Sequence, residues 1–295
     1  MKVLVTGASG FIGRRAVARL AQGRCFEVIA ASRSRSADMP DNAIFEEIDL
    51  LSPGACAELV KRVRPTHLLH FAWNAQPGKF WTAADNLDWA SSTLVLLRAF
   101  WDFGGHRAVL AGSCAEYDWN SSAVLSEDSA TVPATFYGAI KDSTRRAACA
   151  AAFHLGGSLA WGRIFWLYGP GEARGRLVSD VAAALMEGRP AEVGEGWQER
   201  DFLHVDDVAG AFVAALKSDW QGPFNIGAGK TVSVREIVER LGEISGRPDL
   251  VRIGARPTPA TDPKRLCADT RILNEKIGYS PQIHLADGFK QVLGL

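Results

Sequence analysis

The sequence predicts an α/β protein: a doubly wound parallel sheet with a smaller C-terminal substrate-binding domain. Three observations carry that reading. Short β-branched or apolar runs alternate with helical patterns through the first half, the opening strand runs straight into a glycine-rich turn and a helix, and the later part breaks into shorter elements between Gly- and Pro-bearing turns. At 295 residues the chain is near the upper size for one hydrophobic core, so a large domain with a smaller one attached is expected.

In order, the elements are a strand in KVLVTG, a helix from about Phe11, a strand in FEVIAAS, a helix over 55–63, and strands in THLLHFA and HRAVLAGS. Two long helices are predicted over about 83–103 and 137–154, the second rich in good helix formers. YGPGEARG, GRPAEVGEG, IGAG and RPTPATDP mark the later turns. Residues 1–165 are read as the cofactor-binding domain, with 201–227 returning to it, and 166–200 with 228–295 as the substrate-binding domain.

Composition narrows the partners. Apolar residues make up 47% and charged residues 22%, with 33 basic and 33 acidic side chains, so neither nucleic acid nor an anionic membrane is expected. The five scattered cysteines show no CxxC or metal-ligand spacing and read as reduced thiols. MKVLVTGASG enters a strand at once, leaving no room for a signal peptide, and no apolar run reaches membrane-spanning length; the expected location is cytoplasmic.

The turn Thr6-Gly7-Ala8-Ser9-Gly10-Phe11-Ile12-Gly13 sits between a strand and a helix, the context that separates a dinucleotide fingerprint from a chance glycine cluster. Gly7 allows the tight turn, Gly10 lets backbone approach a pyrophosphate, and Gly13 permits close helix-to-strand packing, which makes the sheet Rossmann-type. At the end of the second strand, where an acid signals NAD, the chain has Ser32 and Arg33. Arg33 can pair with a 2'-phosphate that a carboxylate would repel, so NADP(H) is favoured over NAD. Asp49 and Leu50, at the next strand end, and Phe71, Ala72 and Trp73, after THLLH, complete the expected cofactor contacts with Phe11 and Ile12.

Tyr137 and Lys141, four apart on a helix, share one face. A tyrosine with a pKa of about 10 must be lowered by about three pH units, roughly 4 kcal/mol, to act as a base at neutral pH. The neighbouring ammonium is expected to supply much of that. Lys141 would also hold the nicotinamide ribose, and Ser113, ending a strand in AGSCAEY, can bind the substrate oxygen on which charge develops.

With these residues in this order, the sequence resembles the extended short-chain dehydrogenase/reductase family of sugar-nucleotide epimerases, dehydratases and reductases. The resemblance covers nearly the whole chain through TGASGFIG, LLHFAW, GSCAEY, EDSATVPATFYGAIK, RIFWLYGPG, ERDFLHVDDVAGAF, FNIG and CADTRILNEKIGYSP. It implies catalysis by Ser113, Tyr137 and Lys141, a nucleotide-diphosphate contact at Arg200, and a homodimer through the two long helices. Departures narrow the chemistry. Cys114 and Ala115 stand where related dehydratases carry acids, and Ala115 replaces the cysteine of fucose-synthase-type enzymes. Trp166 replaces the asparagine of the RxxNxYGP stretch and stacks on substrate or fills core. Cys114 reads as a packed thiol beside the substrate, while Glu116 contacts substrate, stands solvated or caps a helix.

His204 reads as structural, His70 as shaping the pocket, and Asp206 and Asp207 as helix caps; no spacing indicates a metal, and GSC lacks a hydrolase elbow. The preferred reading is NADPH-dependent reduction of a nucleotide-linked 4-keto-6-deoxyhexose, similar to abequose/paratose synthases. The alternatives are a sugar-nucleotide 4-epimerase using the same three residues, a reductase of some other carbonyl, and a non-catalytic NADP(H) sensor.

Overall fold

A computed structural model describes residues 1–23, 25–257 and 262–295. The strands are β1 (Lys2–Thr6), β2 (Glu27–Ser32), β3 (Ala43–Glu47), β4 (His67–His70), β5 (Arg107–Ser113), β6 (Val124–Leu125), β7 (Ser158–Ile164), β8 (Trp166–Tyr168), β9 (Ala191–Glu192), β10 (Glu199–Arg200), β11 (Phe202–His204), β12 (Gly222–Ile226), β13 (Val232–Ser233), β14 (Val251–Arg252) and β15 (Arg265–Ala268). The helices are α1 (Gly13–Gln22), α2 (Ala55–Val63), α3 (Asn86–Asp102), α4 (Phe136–Leu155), α5 (Leu177–Met186), α6 (Val205–Lys217), α7 (Val234–Ile244) and α8 (Leu285–Leu293).

Seven strands form one parallel sheet in the order β12-β7-β5-β4-β1-β2-β3, with the strand order reversing between β1 and β4. Both faces are covered, which is why β1 reads as an unbroken apolar run. Val3 and Val5 pack with Val17 and Leu20 of α1 and Phe212 of α6, while Leu4 packs on the opposite face with Leu59 of α2, Phe100 of α3 and Ala148 of α4. That alternation is the period of two expected of a strand.

Helix α2 spans the predicted 55–63, and α4 exceeds its predicted span by one residue at each end. Thr135 caps α4 by accepting from the Gly138 N–H at 3.1 Å, and Gly156 closes it in the left-handed region. Helix α3 starts at Asn86, later than the pattern predicts. Asn86 Nδ2 donates to the carbonyls of Phe80 and Ala83, both at 2.8 Å, and so satisfies the turns that precede the helix.

The second lobe packs α5, α7 and α8 around Leu185, Ile237, Leu241 and Phe289, beside a four-stranded sheet in the order β13-β10-β15-β6. The chain crosses between lobes in both directions: α6 and β12 join the main sheet side, and β6 pairs with β15. Asp201, fully buried, ties the crossings together by accepting from the N–H groups of Ala228 at 2.6 Å, Gly229 at 3.0 Å and Ala268 at 3.1 Å. The turn predicted over 256–263 lies partly outside the described residues. Among the described residues no helix is long and apolar enough to cross a membrane.

Candidate active site

A cavity of about 480 Å³ opens at the carboxyl ends of β1, β4 and β5, where the sheet's strand order reverses. Gly7, Gly10, Phe11, Ile12, Gly13, Phe71 and Trp73 line one end of it. Gly7 has φ +67°, and a Cβ there would stand 2.7 Å from the Ala72 nitrogen; a Cβ on Gly13 would strike the Gly7 carbonyl. The N-terminus of α1 carries no side-chain cap; the Arg14 and Arg15 N–H groups already donate to the Gly10 and Ile12 carbonyls, both at 3.1 Å, so an anion would meet the N–H groups of the turn just before them, Phe11 to Gly13. This cradle of close-packed backbone fits a dinucleotide pyrophosphate.

Ser113, Cys114, Tyr137, Lys141 and Trp166 line the same cavity. Ser113 is fixed from behind by Glu116, which is fully buried. Glu116 Oε1 accepts from the Ser113 N–H at 2.9 Å and the Trp161 indole at 2.8 Å, and Oε2 accepts from Arg163 at 2.8 Å. Of the roles open to Glu116, the structure shows the capping one and not the solvated one: with Ser113 it forms a capping box, and it is buried among its own cations outside the cavity lining. Burial drives the Tyr137 phenol above its ordinary value, against a hydrogen bond with Ser113 that lowers it. The sequence expectation was the opposite direction. The reason is the wall around the phenol: the rings of Phe80 (centroid at 4.8 Å), Trp81 (5.8 Å) and Trp73 (6.4 Å) meet it edge to face and make its surroundings largely apolar, although it lines the cavity and is only half-buried.

Lys141 is buried, which pulls its ammonium down to about 7 against the raising effect of Glu116. Its Nζ donates to the Ala111 carbonyl at 3.0 Å and lies 3.6 Å from the centroid of the Trp73 ring. The Cys114 thiol is buried and raised by that burial, as a packed thiol should be.

Other predicted residues lie apart. Ser32 ends β2 and Arg33 follows it, with Ser32 Oγ donating to the Ser34 carbonyl at 2.8 Å and Arg33 exposed. Asp49 accepts from the Leu51 N–H, and Leu50 lines a separate shallow cavity with Ser92 and Val95. Ala72 is buried against Gly7. Arg200 stands outside the cavity lining because its guanidinium is bound to Asp262 at 2.5 Å and stacks behind Trp166, 5.1 Å from the ring centroid. His70 is likewise structural, bridging Thr6 at 2.7 Å and Thr93 at 2.9 Å, and His204 accepts from the Asp206 N–H as the cap of α6.

Sequence reasoning missed the other end of the cavity. Phe80, Trp81, Trp119, Glu172 and Arg176 line it, and Lys141, Glu172 and Arg176 are its charged lining residues among those described. One Glu172 oxygen is buried with no hydrogen-bond partner among the described residues, and burial raises this carboxyl to about 7. These residues sit in loops with no motif; the one available signal was the density of tryptophan, nine in 295 residues.

A family model described as the NAD dependent epimerase/dehydratase family matches residues 3–227. The chain is 30% identical to a UDP-glucose 4-epimerase of Corynebacterium glutamicum, over 96% of this chain and 91% of that one. It is 29% identical to a dTDP-4-dehydro-6-deoxy-D-allose reductase of Streptomyces bikiniensis, over 95% and 91%. Among solved structures, MoeE5 in complex with UDP-glucuronic acid and NAD is 31% identical, with a TM-score of 0.84 over 100% of this chain and 98% of that one.

Proposed function

The chain belongs to the NAD dependent epimerase/dehydratase family, and from that premise we propose that it is an NADPH-dependent reductase of a nucleotide-linked keto sugar, of the 4-keto-6-deoxyhexose type. The observation that carries the reading is the rim at the end of β2. Ser32, Arg33 and Arg35 stand where a carboxylate would mark NAD, and the next acid along the chain, Asp38, faces Arg14 at 3.6 Å. A 2'-phosphate would meet guanidinium groups there.

When bound, the reduced nicotinamide supplies a hydride. Tyr137, held protonated by its largely apolar surroundings, is the proton donor to the carbonyl oxygen, and Ser113 hydrogen-bonds that oxygen as charge builds on it. Lys141 supplies positive charge beside them and holds the cofactor's ribose. Trp81, Trp119 and Trp166 offer flat apolar faces to a sugar ring poor in hydroxyls. Arg176 is the cation available to a substrate diphosphate on that side. We also propose a homodimer through α3 and α4, to be checked by light scattering.

The test is NADPH and NADH binding, then NADPH oxidation with a panel of nucleotide-linked 4-keto sugars. Stoichiometric oxidation that disappears in Tyr137→Phe supports the reductase. The 4-epimerase reading, favoured by the identity to the Corynebacterium glutamicum enzyme, would show tightly retained cofactor and epimer interconversion without net oxidation; binding without turnover would leave a sensor.

A further inference from the structure

A lysine buried to 3% exposure needs partners for its charge, and the surroundings of Lys141 offer few. From the turn after β5, Glu116 is the facing anion, but Arg163 at 2.8 Å and Arg145 at 3.6 Å already share it. From β4, His70 is held neutral, its pKa drawn down to about 3 by burial. On its own helix, Tyr137 keeps its proton. What touches the ammonium directly is the Ala111 carbonyl at 3.0 Å and the face of the Trp73 indole at 3.6 Å from the centroid.

The indole is itself held in place. Trp73 Nε1 donates to Asn86 Oδ1 at 2.8 Å, and Asn86, 1% exposed, anchors its amide on the carbonyls of Phe80 and Ala83. We infer that Trp73 is a positioning residue for Lys141: the indole face, fixed by Asn86, holds the ammonium against the cavity wall and keeps it charged there. One ammonium N–H goes to Ala111, the indole face takes the next, and the remaining one is free for a hydroxyl presented in the cavity. Asn86 therefore governs an active-site cation without lining the cavity.

The inference rests on the reading of Lys141 as an active-site cation, and its test does not need turnover. The protonation midpoint of Lys141 would be measured in cofactor-free protein by pH-dependent competitive acetylation read by mass spectrometry, alongside the NADPH dissociation constant from about pH 6 to 9. Trp73→Leu should lower the midpoint by about one pH unit, the equivalent of a desolvated cation–π contact. NADPH binding should then weaken about fivefold more at about pH 9 than at about pH 6, since at the acid end the parent amine is mostly protonated and the variant amine is about half protonated. Trp73→Phe, with a weaker ring, should shift the midpoint about half as far, and Asn86→Leu should shift it in the same direction by freeing the indole. A midpoint in Trp73→Leu equal to that of the parent protein, with a cooperative melt showing a folded chain, overturns the inference. Should Trp73→Leu not fold, unchanged midpoints in both Trp73→Phe and Asn86→Leu overturn it equally. If the parent protein binds NADPH but reduces no keto sugar, the reductase reading fails while the lysine titration still decides this one.

Discussion

The two ends of the cavity are built from different materials. At the dinucleotide end much of the wall is backbone: Gly7, Gly10 and Gly13 lie within seven residues of sequence, beside Phe11, Ile12, Phe71 and Trp73, and a side chain at Gly7 or Gly13 would strike neighbouring main chain. The other end is walled by side chains, Phe80, Trp81, Trp119, Glu172 and Arg176 from separate loops and Trp166 from β8. A backbone wall accepts almost no substitution and so advertises itself in sequence. A side-chain wall can be rebuilt residue by residue, and that freedom is where substrate choice resides.

The largest effect should come where the two ends meet. Tyr137→Phe is expected to lower kcat about 1000-fold with cofactor binding retained, the cost of losing a positioned proton donor; a small loss would mean another group donates the proton. Gly13→Val should cost about 3 kcal/mol by overpacking and abolish NADPH binding, measured by denaturant melts and titration. If it binds cofactor normally, the backbone wall is more forgiving than the contrast allows. Glu116→Gln should cost about 3 kcal/mol, because it leaves Arg163 buried without its anion. Trp81→Ala should raise KM for the sugar nucleotide about tenfold, one lost stacking face, while leaving NADPH affinity unchanged; a change in both would join ends that the contrast separates.

A further effect is a pH dependence of stability. Burial holds His70 down to about 3 against an ordinary value of 6.5. Between those values the unfolded chain binds a proton that the native state refuses, so the stability is intact above about pH 6.5 and falls on acidification, by up to about 1.4 kcal/mol per pH unit. His70→Gln should flatten the decline in melting temperature between about pH 7 and 5.

The contrast also explains what could be read in advance. The glycine turn, the span of α2, the long α4 and the convergence of Ser113, Tyr137 and Lys141 were legible because each rests on local periodicity or a fixed spacing. Arg200 was expected at a diphosphate, but its partner Asp262 lies 62 residues away, a pairing no local pattern reveals. The direction of the Tyr137 shift was missed for a similar reason: the rings that wall the phenol come from residues 73–81, whose fold depends on Asn86 capturing two carbonyls.

Asp201 bears on the order in which the molecule can be assembled. The glycine cradle, Ser113, Tyr137 and Lys141 all lie within the first 141 residues, whereas the groups that Asp201 gathers come from residues 228, 229 and 268. Arg200, behind Trp166, is joined to the same knot through the pairing of β10 with β15. A chain emerging from the ribosome therefore presents Ser113, Tyr137 and Lys141 long before it can secure the Trp166 side of the cavity, and the last strand to arrive, β15, is the one that closes that knot.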